Sequence, residues 1–154
     1  MNGLLFSPSL IMSSRSGAGF FLRYVDLARY GDSRFLYGSG GLQDFSAMIE
    51  PLKGLGMVPY VRDHDRKDPV LSPMYADMRG FPPTLCMTST RDYCLSGTVD
   101  FHRALLRAGV DARLMVFDTL PHAFWYQFDL PESREALEAQ ASFLDRHLGH
   151  AHAN

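Results

Sequence analysis

Between residues 82 and 148 the chain alternates two strand-like runs with two helix-like runs, and few folds accept that order. Pro82-Pro83 stops any helix and introduces an apolar run at 84–89, Thr-Leu-Cys-Met-Thr-Ser. Ser96 is a helix-capping residue type, and the spacing predicts a helix over about 97–108 that ends at Gly109. A second strand is expected at 112–117, Ala-Arg-Leu-Met-Val-Phe. Pro131 suits the first turn of a final helix over about 132–148. On that helix Leu137, Ala141, Leu144 and Leu148 recur at helical spacing and are expected to form the buried face. Strand, helix, strand, helix demands a right-handed crossover and a parallel sheet, so the fold class is α/β.

Upstream the pattern is weaker. Residues 3–6 read as a short buried strand, and 7–66 as irregular, with Gly17-Ala18-Gly19 as a loop signal. Residues 24–30 and 45–49 carry short amphipathic helix patterns, the second stopped before Pro51. The 154 residues suffice for one domain with a core, expected over 1–150 with a disordered tail at 151–154. A net charge of −2 supplies no basic field, which excludes nucleic acid as the expected partner. There is no 18-residue apolar run, so no membrane span is expected. The Leu4-Leu5-Phe6 run lacks the length and basic flank of a signal peptide. Cys86 and Cys94 make no disulfide framework, and a cytoplasmic location is expected.

Each of the two strands runs on into a loop with an ionisable residue: Asp92 after the first and His122 after the second. Functional groups gather at the carboxyl ends of strands in open α/β sheets. Adjacent parallel strands bring these two loops together. There a carboxylate would hold one imidazole nitrogen, fix the tautomer and stabilise the imidazolium formed in acyl transfer. Alone, an Asp after a strand is more often a cap for the next helix, and a loop His is more often simply solvated. It is the pairing that carries the functional reading. Cys94 has no evident activating neighbour and is set aside as a nucleophile. His147, His150 and His152 read as a frayed, solvated end rather than a metal site, so neither metal nor cofactor is expected. In the run Phe124-Trp125-Tyr126, Phe124 and Trp125 are candidates to line a substrate pocket beside His122. The competing reading is packing under the last helix.

Several separated segments share one resemblance. They are Asp68-Pro69-Val70-Leu71-Ser72-Pro73-Met74-Tyr75-Ala76-Asp77, Gly80-Phe81-Pro82-Pro83-Thr84-Leu85, Thr90-Arg91-Asp92, Leu105-Leu106-Arg107-Ala108-Gly109-Val110 and Leu120-Pro121-His122-Ala123-Phe124. In this order they resemble the C-terminal part of the hormone-sensitive-lipase-like esterases, an α/β-hydrolase family. Leu4-Leu5-Phe6-Ser7-Pro8 is similar to the family strand that follows the nucleophile helix. The resemblance is weak between 10 and 66. It implies an incomplete α/β-hydrolase fold, the C-terminal half of the domain, with Asp92 as triad acid and His122 as triad base. Two departures stand out. Family members usually have Gly after the triad His, and here it is Ala123. Neither the Gly-x-Ser-x-Gly elbow nor the Gly-rich oxyanion loop is present. Ser33 lies in Gly31-Asp32-Ser33-Arg34-Phe35, with Phe35 where an elbow needs Gly, and Ser39 has Tyr37 where the first Gly belongs. The resemblance therefore implies part of a carboxylic-ester hydrolase. It would act on a small-molecule ester in the complete enzyme and be inactive by itself. Two alternatives stay open. One is a non-catalytic truncated paralogue, a binding or assembly module whose unpaired sheet edge favours homo-oligomers. The other is part of a prolyl-oligopeptidase-type serine peptidase, although residues 72–77 and 80–83 resemble the esterases better.

Overall fold

Pro82-Pro83 delivers the chain directly into a strand at Thr84–Ser89, where the Thr84 hydroxyl donates back to the Pro82 carbonyl at 2.8 Å. The computed structural model describes residues 10–15, 18–22, 25–26 and 64–148. Its elements are β1 (Leu10–Arg15), β2 (Ala18–Leu22), β3 (Thr84–Ser89), α1 (Leu95–Arg107), β4 (Ala112–Phe117) and α2 (Pro131–Leu148). Two 3-10 turns, at Pro73–Tyr75 and Phe124–Tyr126, complete them. Both strands expected between 82 and 148 form over the expected residues. They pair in parallel, from Thr84 opposite Ala112 to Ser89 opposite Phe117, which is what a helical crossover requires.

All six residues of β3 are buried, as befits a strand covered on both faces. Side-chain alternation divides the core accordingly. Leu85 and Met87 pack with Phe117, Phe124, Trp125, Ala136 and Phe143 on the α2 side. Cys86 packs with Phe101, Leu105, Val110, Met78 and Val25 on the α1 side. Burial pushes the Cys86 thiol up to about 12, so it acts as a small apolar filler rather than a nucleophile.

Three expectations are corrected. First, residues 7–66 are not wholly irregular. The sheet order is β2-β1-β3-β4, with β1 antiparallel to both β2 and β3, so the described sheet is mixed. The register, Ile11 opposite Leu22 and Arg15 opposite Ala18, leaves two residues between the strands. This antiparallel pair lies within a Ser/Gly-rich stretch of the sequence. Second, α1 begins at Leu95 with Cys94 at the cap position, and Ser96 lies inside the helix. The turn is closed earlier by Asp92, whose carbonyl accepts the Leu95 N–H at 2.9 Å and whose carboxylate accepts the Cys94 N–H at 2.8 Å. Third, the buried face of α2 is Ser133, Ala136 and Phe143, while Leu137 is 41% exposed and Ala141 is exposed. Ser133 and Ala136 fall on that face where the helix starts close to the preceding turn, the Ser133 hydroxyl donating to the Phe124 carbonyl at 2.8 Å, while further along Phe143 is buried and Leu144 packs against the same cluster. The strand expected at 3–6, the helix at 45–49 and the tail at 151–154 lie outside the described residues, as does the helix at 24–30 save for residues 25 and 26.

Candidate active site

The parallel pairing of β3 and β4 brings two loops together at one end of the sheet. Polar side chains then tie the loops to each other. The Thr90 hydroxyl donates to Asp118 Oδ1 at 3.0 Å and accepts the Thr119 N–H at 2.7 Å. The Ser89 hydroxyl donates to the Leu120 carbonyl. The Thr90 hydroxyl is also the chief reason why the Asp118 carboxyl is held below its ordinary range, with Thr119 and Arg91 assisting. These bonds set the chain that carries Asp92 against the chain that carries His122.

Asp92 is 1% exposed, and the His122 side chain is 11% exposed. His122 Nδ1 lies 2.7 Å from Asp92 Oδ1. An ionised carboxylate only accepts, so Nδ1 is the donor and carries the proton. In the neutral ring Nε2 then holds the lone pair. That atom faces the hydroxyl of Tyr93 at 2.8 Å, and the two rings stack with centroids 4.1 Å apart and planes tilted by 36°. Carboxylate, imidazole and phenol thus form a continuous relay. Chemically it can take a proton at Nε2 while the buried carboxylate stabilises the resulting imidazolium.

The loop that delivers His122 has unusual backbone torsions. Thr119 and Ala123 both adopt positive φ, 59° and 62°. Ala123 is left-handed (φ 62°, ψ 28°) at the start of the 3-10 turn Phe124–Tyr126. That is the position where the esterase pattern has Gly, and a methyl group there costs about 1–2 kcal/mol. The turn is anchored by aromatic packing, with Phe117 and Phe124 centroids 4.8 Å apart and Phe124 edge-on to Trp125 at 5.2 Å.

The structure brings Asp92 and His122 together. It places Phe124 (0% exposed) and Trp125 (5%) inside the core on the α2 side. There they pack under the last helix, the competing reading for these two residues, and brace the loop that carries His122. Tyr126 and Phe128 are exposed. Among the described residues, the group with metal-ligating character is Asp92, Cys94 and His122, whose ligand atoms lie within 4.8 Å of one another. His147 packs on Phe143 and lies 3.9 Å from Asp111, whereas His150 and His152, like Ser33 and Ser39, lie outside the described residues. Tyr93, Thr90 and Ser89 were not anticipated from the sequence. The one available signal was an aromatic residue directly after the candidate acid. No helix of the described residues is long and apolar enough to cross a membrane.

Comparison with known proteins agrees with this architecture. Residues 47–126 match the family model described as alpha/beta hydrolase fold. An acetyl-hydrolase from Streptomyces hygroscopicus is 29% identical over 86 residues, covering 55% of this chain and 29% of its own. Among solved structures, esterase E25 is 41% identical with a TM-score of 0.55, over 58% of this chain and 28% of that one. An esterase from the bacterial hormone-sensitive lipase family is 30% identical with a TM-score of 0.58, over 65% of this chain and 34% of that one. The chain therefore spans about a third of the length of these relatives. A match over half of its length, together with the parallel pair and crossover helix, places the chain in the α/β-hydrolase fold family, where it is similar to the hormone-sensitive-lipase-like esterases.

Proposed function

We propose that this chain carries the acid and base of a serine-type carboxylic-ester hydrolase, with Asp92 orienting His122 and His122 moving the proton. The observation that carries the reading is the 2.7 Å contact between a buried Asp92 and His122 Nδ1 at the ends of two parallel strands. In the complete reaction a serine hydroxyl attacks the ester carbonyl. His122 Nε2 accepts its proton and returns it to the leaving alcohol, and Asp92 stabilises the transient imidazolium. The esterase and acetyl-hydrolase relatives support an ester rather than a peptide substrate.

No Gly-x-Ser-x-Gly occurs in the 154 residues, so the chain alone is expected to give no sustained turnover of p-nitrophenyl butyrate. The direct test joins the upstream part of a hormone-sensitive-lipase-like esterase, elbow included, to this chain ahead of Asp68. A folded chimera should hydrolyse short-chain esters, and His122→Ala or Asp92→Asn should cut kcat by on the order of 10⁴. A folded, active chimera indifferent to His122→Ala would refute the assignment. So would sustained turnover by the chain alone that is untouched by the same substitution.

A further inference from the structure

Nε2 of His122 is the atom that must take the proton from a nucleophile, and in this structure it already has an oxygen partner. Tyr93 Oη lies 2.8 Å from it, a distance at which a nucleophile hands its proton to a general base. With Nδ1–H donated to Asp92, the Nε2 lone pair can accept a proton from the phenol. The phenol is held there by construction. Tyr93 follows Asp92 directly, is 7% exposed, and its ring stacks on the imidazole. Carboxylate, imidazole and hydroxyl therefore stand in the order and contacts of a catalytic triad, with a phenol in the hydroxyl position. The His122 side chain keeps 11% of its surface exposed, beside the buried Tyr93 and Asp92.

We propose that Tyr93 is an acyl acceptor, taking an acyl group from an activated ester with His122 as base. The proposal rests on the acid–base reading of Asp92 and His122. Tyr93 Oη attacks the carbonyl carbon and its proton passes to His122 Nε2. The new Oη–C bond forms as the bond from carbon to the leaving oxygen breaks. The leaving group departs as an aryloxide, and the proton on His122 is released to solvent or to the aryloxide. The chemistry also limits the donor. A phenol is a far better leaving group than an alkyl alcohol, so an alkyl ester does not transfer its acyl group to Tyr93 to a useful extent. Aryl esters, whose leaving groups are as good or better, do.

The test uses the 154-residue chain as it is, with p-nitrophenyl acetate as the probe and ethyl acetate as the alkyl control. The expected result is a burst of about one p-nitrophenolate per chain without sustained turnover. Peptide mapping should then find a single acetyl group on Tyr93, and none with ethyl acetate. Tyr93→Phe keeps the ring and its stacking, and should abolish the burst with an unchanged circular dichroism spectrum. His122→Ala should slow acetylation about 10²-fold or more. An acetyl group found instead on Cys94, on a lysine or at the amino terminus would overturn the proposal. So would acetylation of Tyr93 at the same rate in His122→Ala. The wild-type peptide map decides the site even if a variant fails to fold. An active, His122-dependent chimera alongside an unlabelled Tyr93 would sink this proposal and leave the acid–base reading standing.

Discussion

Ala123 holds a left-handed backbone, φ 62° and ψ 28°, immediately after the histidine of the relay. Its methyl group crowds the carbonyl in that region at a cost of about 1–2 kcal/mol. The torsion persists because Phe124 is locked in the core on one side and the Leu120 carbonyl is tied to Ser89 on the other. Glycine would adopt the same torsion without the clash, though it loses more backbone entropy on folding, about 0.5–1 kcal/mol. The balance predicts that Ala123→Gly stabilises the chain by about 0.5–1 kcal/mol in urea unfolding, with His122 still bonded to Asp92. A destabilised variant would mean that the backbone entropy glycine loses on folding outweighs the strain it relieves. Tyr93 belongs to the same scale. Its role depends on one hydroxyl oxygen standing 2.8 Å from one nitrogen, and no periodicity or spacing in the sequence encodes such a contact.

At the scale of the element, α1 shows how a helix end is written. Gly109 has φ 77°. Its N–H reaches the Leu106 carbonyl at 3.0 Å, and the Val110 N–H reaches Leu105 at 3.1 Å. This is the double closure of a Schellman motif, and Val110 and Leu105 belong to the same buried cluster. Nothing within 4 Å would obstruct a methyl group at Gly109, so the cost of Gly109→Ala is torsional alone, about 1 kcal/mol. Thermal or urea unfolding of that variant measures it, and a loss above about 3 kcal/mol would show that packing is involved. The end of α1 was legible because one residue type does the work. Its start was less so, since Asp92 closes the turn before the capping residue that Ser96 suggested. The face of α2 was read in part: Leu144 packs against the core as expected, but Leu137 and Ala141 are exposed and Ser133, Ala136 and Phe143 are the buried residues. β3 and β4 were legible at both ends, since the prolines at 82 and 83, Gly109 and the turn after Phe117 punctuate apolar runs of strand length.

At the scale of the molecule, the described residues are organised by one sheet with a separate cluster on each face. Phe101 is fully buried between α1 and the sheet, edge-on to Phe81 at 6.0 Å. Phe101→Ala removes a large side chain from a core that cannot fully collapse, at about 3–5 kcal/mol. Against the usual total of about 5–15 kcal/mol, that is a large share. The variant should lose or broaden its cooperative thermal transition, and an unchanged midpoint would show that the α1 side is not integral to the fold. At this scale the sequence disclosed the α/β alternation and the meeting of Asp92 with His122, because both follow from local order. The place of β1 in the sheet escaped because its partner there is β3, with Ser13 opposite Thr84 and Leu10 opposite Met87, and pairing at that distance leaves no local mark. One consequence of the loop ties reaches beyond folding. Carboxylate, imidazole, phenol and the hydrogen bonds between their loops all fall between Ser89 and Ala123, so the constellation is inherited as one continuous cassette. A recombination breakpoint ahead of Pro82 passes it on whole, while one between Asp92 and His122 breaks it. Libraries that shuffle this chain with its relatives should place their crossovers accordingly.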